Sequence, residues 1–416
     1  MRDALSALFV STYPPEQCGL ATFTRNLADA VDATQTRPAA SVAAINRTGR
    51  RNCYDHRVVC EINNTLDDCY QQAARFINAS DVDVVCLQHE YGLYRGECGD
   101  QIVELLDLCD KPIVGTLHTI LPAPSDKQRE VLRAIAARCD RLVTMARVGI
   151  DLLEQVYGVP RDKAVMIPHG VPEVVFHHRP LLRRLLGLGG RTVIMTFGLL
   201  SGGKGIEYMI DALPAICARH PNTLYLVLGE THPAIREREG EAYRESLQER
   251  ALRLGVGDHV RFENRYVTDD ELVFYLQACD VYVTPYIGRD QITSGTLSYA
   301  MAAGCPTVST GYLHARELLD EGRGRLAEFE SGASLAAEIN AILGDPAYRE
   351  QLQVRAYEYG LSMHWDQVGR QYQRLLASVS GKPTSHEKPP PRMTLERLIE
   401  ERRERQNAAV PSAPGD

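Results

Sequence analysis

The stretch FGLLSGGKGIEYMIDALP, residues 197–214, joins an apolar run, a glycine-rich turn with a single lysine, and a helical pattern. Glycines leave backbone amides uncovered where a helix begins, and those free N–H groups favour anions. A lysine at a helix start works against the helix dipole unless an anion is bound beside it. The stretch therefore predicts a phosphate cradle in which Lys204 supplies a point charge. A plain surface lysine in a turn is the alternative interpretation.

The same alternation of apolar runs and helical segments continues along the chain, as expected for βα units on a parallel sheet. The 416 residues, of which 44% are apolar, suffice for two hydrophobic cores. We predict an α/β fold of two doubly wound, Rossmann-like domains over residues 1–178 and 179–362, with a hinge near residues 175–190. The predicted strands lie in ALSALFVST, VDVVCLQHE, KPIVGTLHT, RLVTMA and AVMIPHG, then in RTVIMTFG, TLYLVLGE, HVRFENR, DVYVTPY and CPTVST.

Two further segments follow the second domain. We expect a helix over residues 363–380 to pack back on the first domain. From about residue 381 proline and charged residues dominate and few residues are apolar, so residues 381–416 are expected to form a disordered or partly helical tail.

Composition excludes several classes of function. A formal net charge of −8 gives no global attraction to nucleic acid or to an anionic membrane. The 11 cysteines are scattered without a CxxC spacing, which favours reduced core thiols in a cytoplasmic protein over a disulfide frame or a zinc site. No uninterrupted apolar segment approaches the roughly 20 residues that span a bilayer, so no transmembrane segment is expected.

Polar residues stand at the ends of several predicted strands of the first domain. His89 and Glu90 end one strand, His118 ends the next, and His169 follows the last. A single histidine is more often a structural hydrogen-bonding group than a catalyst. Ligands of open parallel sheets bind at the carboxyl ends of the strands, so histidines at neighbouring strand ends favour an active site.

Two further strand ends are rich in small and polar residues. In YPPEQCGLATF, residues 13–23, Gly19 lets the backbone approach a ligand, and Thr22 or Thr24 is a possible helix cap; a tight turn with a cap is the alternative. In PYIGRDQITSGTLSYAMAAGCPTVST, residues 285–310, we expect the run from Ser294 to Thr296 at a helix N-terminus. Capping explains one of its hydroxyls but not the whole polar run RDQITSGT.

Taken in order, these segments resemble the retaining, metal-independent glycosyltransferases of family four, of the GT-B type with two Rossmann-like domains facing across a cleft. They are most similar to a mannosyltransferase-like subgroup. YPPEQCGLATF, TLHT, MIPHGV, FGLLSGGKG and SYAMAAGCPTVST carry the resemblance, which covers about residues 5–378. It implies transfer of a hexosyl unit such as mannosyl from a nucleotide-diphosphate sugar to a hydroxyl acceptor. No cofactor and no metal are expected.

The resemblance also assigns candidate site residues. His118 at the transferred sugar, Lys204 at the diphosphate and Gln291 are the candidate catalytic residues. His89, Glu90 and His169 are expected on the acceptor or sugar side. The expected donor-binding residues are Gly19, Gly203, Glu230, Arg265, Tyr266, Ser294, Gly295, Thr296 and Tyr299.

The chain departs from the family pattern at three positions. The usual arginine beside the lysine motif falls on Leu199, and the usual paired glutamates fall on Gln291 and Tyr299. Gln291 can still hydrogen-bond a sugar hydroxyl. Alternative sources of the charges that these positions lack are Glu230, Asp290, Arg265 and Arg289. We interpret the departures as an altered site.

Two other functions fit the same architecture. A nucleotide-sugar epimerase or hydrolase would act on the donor without an acceptor, and a non-catalytic nucleotide-sugar sensor would bind the donor without turnover. A dehydrogenase is disfavoured because neither half has a GxGxxG fingerprint after its first strand. The base, the sugar, the acceptor and the oligomeric state are left open by the sequence.

Overall fold

The computed structural model describes residues 4–49, 52–175 and 177–382 of the chain. Its first half is a parallel sheet in the order β3-β2-β1-β4-β5-β6-β7. The strands are β1 (Ala7–Ser11), β2 (Ser41–Asn46), β3 (Val58–Asn63), β4 (Val84–His89), β5 (Ile113–Leu117), β6 (Arg141–Thr144) and β7 (Ala164–Met166). The helices of this half are α1 (Gly19–Asp32), α2 (Cys69–Ala79), α3 (Ile102–Leu108), α4 (Asp126–Arg138) and α5 (Arg147–Tyr157).

The second half is a six-stranded parallel sheet in the order β10-β9-β8-β11-β12-β13. Its strands are β8 (Thr192–Phe197), β9 (Thr223–Leu228), β10 (Val260–Glu263), β11 (Val281–Thr284), β12 (Thr307–Thr310) and β13 (Arg325–Ala327). Its helices are α6 (Arg179–Leu185), α7 (Ile206–Cys217), α8 (Pro233–Glu239), α9 (Ala242–Arg253), α10 (Asp269–Ala278), α11 (Gly295–Ala302), α12 (Leu313–Leu318), α13 (Gly332–Gly344) and α14 (Pro346–Gly360). The last helix of the described chain is α15 (Trp365–Ser380).

The prediction of two Rossmann-like parallel sheets is confirmed. Strands such as β4 and β9 are buried along their whole length, because helices cover both faces of each sheet. Each apolar run predicted as a strand contains one. The sequence interpretation missed β2, β3 and β13.

The two halves touch along the cleft between the sheets. Ile292, from the loop before α11, belongs to the same buried cluster as Ile120 and Tyr91 of the first half. Asn26 of α1 donates a hydrogen bond to Asp269 of α10, with Nδ2 and Oδ2 3.2 Å apart. The cleft is therefore closed at these points.

The chain crosses between the two halves twice, and the crossings are paired. On the way out, the Val171 amide donates to the Met363 carbonyl at 2.9 Å, and on the return the Trp365 amide donates to the Val171 carbonyl at 2.9 Å. After the return, α15 packs on the first half, where Val368, Tyr372 and Leu376 join the cluster beneath β1 and α1. Of the predicted tail 381–416, only Gly381 and Lys382 lie within the described residues.

Among the described residues, no helix combines the length and the apolar character needed to traverse a bilayer.

Candidate active site

The glycine-rich turn after β8 is built by close backbone contacts between strand ends. Gly198 and Gly229 have φ angles of +126° and +137°, and a Cβ on Gly229 would lie 2.2 Å from the Gly198 carbonyl oxygen. Gly205 has φ of +60°, and its Cβ would lie 2.0 Å from the Pro285 carbonyl oxygen. These glycines let the ends of β8, β9 and β11 meet without side chains between them.

Lys204 ends a short 3₁₀ turn in this segment and lies over an aromatic ring. Its Nζ is 4.0 Å from the centre of the Tyr286 ring, a cation–π contact. The Tyr286 hydroxyl lies 2.9 Å from Thr296 Oγ1, so the lysine is tied through one ring to the start of α11. Within residues 4–49, 52–175 and 177–382, no carboxylate forms an ion pair with Lys204. The arrangement presents a cation next to a helix N-terminus, with no counter-ion from the described part of the chain.

The start of α11 has the expected position and a cap. Ser294 is the N-cap residue, and its Oγ accepts a hydrogen bond from the Leu297 amide at 3.3 Å. The Ser294 amide donates to His314 Nδ1 at 2.8 Å. Gly295 faces the first half, since a Cβ there would lie 3.0 Å from His169 Nε2. Free amides at this helix start favour an anion.

The start of α1 is capped by a different residue from those expected. The N-cap is Cys18, whose Sγ accepts from the Ala21 amide at 3.4 Å. The interpretation of Thr22 or Thr24 as the cap was therefore wrong: the helix begins at Gly19, and Thr24 Oγ1 donates instead to the Leu20 carbonyl at 2.8 Å. A Cβ on Gly19 would meet no atom within 4 Å. The surface at Gly19 is open to a ligand.

Phe23 of α1 lies between two of the predicted histidines. Its ring centre is 4.9 Å from that of His118 and 5.1 Å from that of His169, both in edge-on geometry. His118 Nε2 lies 2.9 Å from Gln88 Oε1, and His169 Nδ1 donates to the Gly170 carbonyl at 2.7 Å. The strand ends thus bring the rings together at the cleft, each held by one polar contact.

His89 and Glu90 lie deeper at the end of β4. The His89 ring is fully buried, and within the described ranges neither of its nitrogens has a hydrogen-bond partner. Glu90 accepts from Thr119 Oγ1 at 2.6 Å and from the Tyr91 amide at 2.9 Å. Burial raises the pKa of the Glu90 carboxyl.

The histidines of the cleft are neutral. Burial lowers the pKa of His89 to about 4 and that of His169 to about 4. Burial, with help from His169 and His89, lowers the pKa of His118 to about 3. Desolvation disfavours the charged imidazolium in each case. At neutral pH these rings carry no charge, so they can contact a ligand as neutral donors or acceptors but not as cations.

The two positions that depart from the family pattern make contacts within the protein. Gln291 Nε2 donates to the Thr293 carbonyl at 2.8 Å. Tyr299 is only 8% exposed, and the Asp269 carboxylate lies close enough to interact electrostatically with its hydroxyl. The pKa of Tyr299 is raised well above its usual value, by burial first and then by Asp269. The ring of Tyr299 therefore lies in the contact between the halves.

The other expected donor-binding residues surround the ends of β8 to β10. The Glu230 carbonyl accepts from the Leu200 amide at 2.8 Å, and the Gly203 carbonyl accepts from the Ile287 amide at 3.2 Å. Arg265 Nη1 donates to Glu271 Oε1 at 3.0 Å, which ties this cation to the start of α10. Tyr266 is 52% exposed, so its ring face is available. These four lie on the second half.

Sequence interpretation missed His314, Tyr286 and Gln88. His314 follows the end of β12, the same signal that identified His89 and His118, but it stands four residues past the strand. Within the described part of the chain, no group of three or more histidine, cysteine, aspartate or glutamate residues is arranged to hold a metal ion.

Comparison with known proteins gives matches over both halves. Residues 54–173 match the family described as Glycosyltransferase Family 4, and residues 181–359 match Glycosyl transferases group 1. The phosphatidyl-myo-inositol mannosyltransferase of Mycolicibacterium smegmatis is 28% identical over 280 residues, 66% of this chain and 67% of that protein. The mannosylfructose-phosphate synthase of Agrobacterium fabrum is 27% identical over 266 residues, 58% of this chain and 56% of that protein. The chain thus spans between about half and two thirds of these relatives.

Solved structures share the fold at lower identity. A sucrose-phosphate synthase from Thermosynechococcus elongatus superposes with a TM-score of 0.75 at 18% identity, covering 91% of this chain and 100% of that one. HepE of Anabaena, solved in complex with UDP and glucose, gives 0.71 at 19% identity, covering 90% of this chain and 100% of that one. With the two family matches, these similarities show that the chain belongs to the family 4 glycosyltransferases with the GT-B fold.

Proposed function

We propose that the protein transfers a hexosyl unit from a nucleotide-diphosphate sugar to a hydroxyl acceptor. The observation that carries the proposal is Lys204, a cation without a counter-ion among the described residues, set between a glycine-rich turn and the N-terminus of α11. The family match supports the reaction class. Mannosyl transfer is favoured because relatives of this chain are described as mannosyltransferases.

In the proposed mechanism the protein stabilises the leaving group. Negative charge grows on the departing diphosphate, and Lys204 with the amides at the start of α11 would offset it. The bond from the anomeric carbon to the phosphate oxygen breaks as a bond to the acceptor oxygen forms on the same face. The acceptor proton passes to the departing phosphate. Such a reaction retains configuration and requires neither a carboxylate nucleophile nor a metal ion.

The histidines have an orienting role in this proposal. With a pKa of about 3, His118 is not protonated at neutral pH and is a poor proton donor. Its neutral ring can hydrogen-bond a hydroxyl of the transferred sugar. His89, Glu90 and His169 lie on the same side and would contact the sugar or the acceptor.

Donor binding and turnover test the function. The unfolding temperature is measured with GDP-mannose, UDP-glucose and ADP-glucose, because a ligand of the native state raises it. Release of nucleoside diphosphate is followed with the stabilising donor. Lys204→Ala should weaken donor binding and slow release at an unchanged unfolding temperature. Arg219→Ala, which removes an exposed cation beyond the other end of α7, is the matched control.

The outcomes separate the alternatives. Full activity in Lys204→Ala would contradict the diphosphate contact. Donor stabilisation without turnover under any condition would support a sensor, and conversion of the donor sugar without an acceptor would support an epimerase or hydrolase. Retention is checked from the anomeric configuration of the product by NMR. Activity that is lost in EDTA and restored by magnesium or manganese would contradict the metal-independent mechanism.

A further inference from the structure

His314, at the second position of α12, has one satisfied and one unsatisfied ring nitrogen. The side chain is 1% exposed. Its Nδ1 lies 2.8 Å from the Ser294 amide nitrogen, whereas its Nε2 is buried without a hydrogen-bond partner in the part of the chain that the structure describes. A buried polar group left unpaired costs about 1–3 kcal/mol, so an orphan of this kind in a ligand cleft calls for a partner.

The contact to Ser294 fixes the tautomer of the ring. A backbone N–H can only donate, so Nδ1 must accept and carries no proton. Burial and the neighbouring His169 lower the pKa of His314 to about 3, so the ring is neutral at pH 7. The single ring proton is therefore on Nε2, which is a hydrogen-bond donor.

The surroundings of His314 form a meeting point of the two halves. Leu313, which precedes His314 in the chain, packs against the cluster of the first half that contains Ile120. Ile292, from the loop before α11, belongs to that cluster. Thr293 Oγ1, next to the Ser294 that His314 contacts, is a second buried polar atom without a hydrogen-bond partner among the described residues. Two polar groups that lack a partner among the described residues thus lie beside the α11 N-terminus, on the side that packs against the first half.

We propose that the Nε2–H of His314 donates a hydrogen bond to a hydroxyl of the transferred sugar when the halves close on the donor, with Thr293 Oγ1 as a second contact. This proposal rests on the glycosyltransferase function proposed above. It makes His314 a specificity-determining residue that recognises the sugar rather than the nucleotide. It also supplies a neutral contact in a site where neither expected carboxylate is present, at Gln291 or at Tyr299.

Two variants separate this role from a purely structural one. The amide oxygen of asparagine can replace Nδ1 as the acceptor for Ser294 in His314→Asn, but no group remains at Nε2. The longer side chain in His314→Gln can place an amide N–H near the Nε2 position, but it loses the acceptor at Nδ1. Calorimetry then gives the dissociation constants of GDP-mannose and GDP, and of UDP-glucose and UDP, for each protein.

The measured quantity is the ratio of nucleotide to nucleotide-sugar dissociation constants. For the donor that the wild-type protein binds, His314→Asn should lower this ratio about tenfold, the effect of one hydrogen bond, with affinity for the free nucleotide within about twofold. His314→Gln should keep the ratio closer to that of the wild type. Thr293→Val should also lower the ratio, which keeps the test decisive if a histidine variant does not fold.

An unchanged ratio in both His314→Asn and Thr293→Val would overturn the proposal. Equal losses of nucleotide and nucleotide-sugar affinity in His314→Asn would also overturn it, because they would assign His314 to the support of α11 alone. Failure of the wild-type protein to bind any nucleotide or nucleotide sugar would instead overturn the proposed function, and this inference with it.

Discussion

At the residue scale, two cleft glycines differ in what the protein itself requires of them. Gly205 has a left-handed φ of +60° and no room for a side chain, whereas Gly19 has an ordinary backbone conformation and open space where a Cβ would lie. Packing within the protein thus explains Gly205 but not Gly19. The proposed close approach of a ligand would explain Gly19.

Gly19→Ala should therefore weaken donor binding while the unfolding temperature stays within a degree or so of the wild type. Gly205→Ala should lower the unfolding temperature, since a Cβ would collide with the Pro285 carbonyl oxygen and add backbone strain. Thermal unfolding and donor titration of both variants check this pair. Unchanged donor affinity in Gly19→Ala would remove Gly19 from the site.

The buried ring of His89 predicts a pH dependence of stability. Its folded pKa of about 4 lies below the ordinary value of 6.5, so the unfolded chain binds the proton more readily. Stability from this residue is complete above pH 6.5 and is lost as the pH falls towards 4. Between pH 7 and pH 5 the loss should be about 2 kcal/mol in the free energy of unfolding.

His89→Gln removes the titrating ring and should reduce that loss by the same amount. Urea unfolding of both proteins at the two pH values gives the comparison, and other titrating groups cancel because they are common to both. His118 lies close enough to interact electrostatically with His89, so the comparison requires the pKa of His118 to be the same in both proteins. An equal loss of stability in both proteins would show that the His89 ring is not desolvated.

Residues in local motifs could be predicted from the sequence, but their partners could not. Lys204 and Ser294 stand in strand-to-helix segments, so spacing alone identifies them as candidate site residues. The tie between Ser294 and His314 joins residues 20 positions apart and depends on how β11 and β12 pair. The shifted pKa values likewise depend on burial by distant segments.

At the element scale, α5 lacks a cap of its own and borrows one from the other half. Its N-cap residue is Ala146, which has no side-chain acceptor. The Glu317 carboxylate of α12 accepts from the Arg147 amide at 2.9 Å and from the Val148 amide at 3.2 Å. A carboxylate at a helix N-terminus also interacts favourably with the helix dipole. The contact therefore links the two halves through a helix end.

Glu317→Ala should leave the first-turn amides of α5 without this acceptor and weaken the contact between the two halves. Loss of a helix cap costs about 1 kcal/mol, so amide hydrogen exchange at Arg147 and Val148 should rise about fivefold. Glu350→Ala, on the exposed face of α14, is the matched control. Equal exchange rates in the wild type and Glu317→Ala would show that the cap is not maintained in solution.

Most strands in apolar runs were predictable, including the edge strands β7 and β10, whereas the interior strand β2 and the edge strands β3 and β13 were missed. In β3 half-buried and exposed residues alternate and only Ile62 is buried, and its polar and charged positions hide it from a search for apolar runs. In β13 only three residues pair with β12, and two of them are exposed. Both strands lie at sheet edges, where pairing with a neighbour rather than burial determines the structure.

At the scale of the whole molecule, α15 joins the end of the described chain to its beginning. Gly369 lies against α1 so closely that a Cβ would be 2.3 Å from the Ala30 carbonyl oxygen. Replacing a glycine inside a helix by alanine normally stabilises by roughly 0.5–1 kcal/mol. Forced overpacking costs about 1–3 kcal/mol, so the net effect of the substitution on stability should be unfavourable here.

Gly369→Ala should thus lower the unfolding temperature by several degrees. Gly344→Ala is the control, because a Cβ there would meet no atom within 4 Å. Thermal unfolding of the two variants shows whether each substitution lowers or raises the unfolding temperature. A Gly369→Ala protein more stable than the wild type would show that α1 and α15 can separate at little cost.

The packing of α15 on α1 also has a consequence for how the protein is made. A ribosome delivers the chain from its N-terminus, so β1 to β7 emerge long before Val368, Tyr372 and Leu376, which complete their core. The second sheet can form fully while an apolar face of the first still lies exposed. The half that is translated first is therefore finished last, and during synthesis it depends on protection of that face from aggregation.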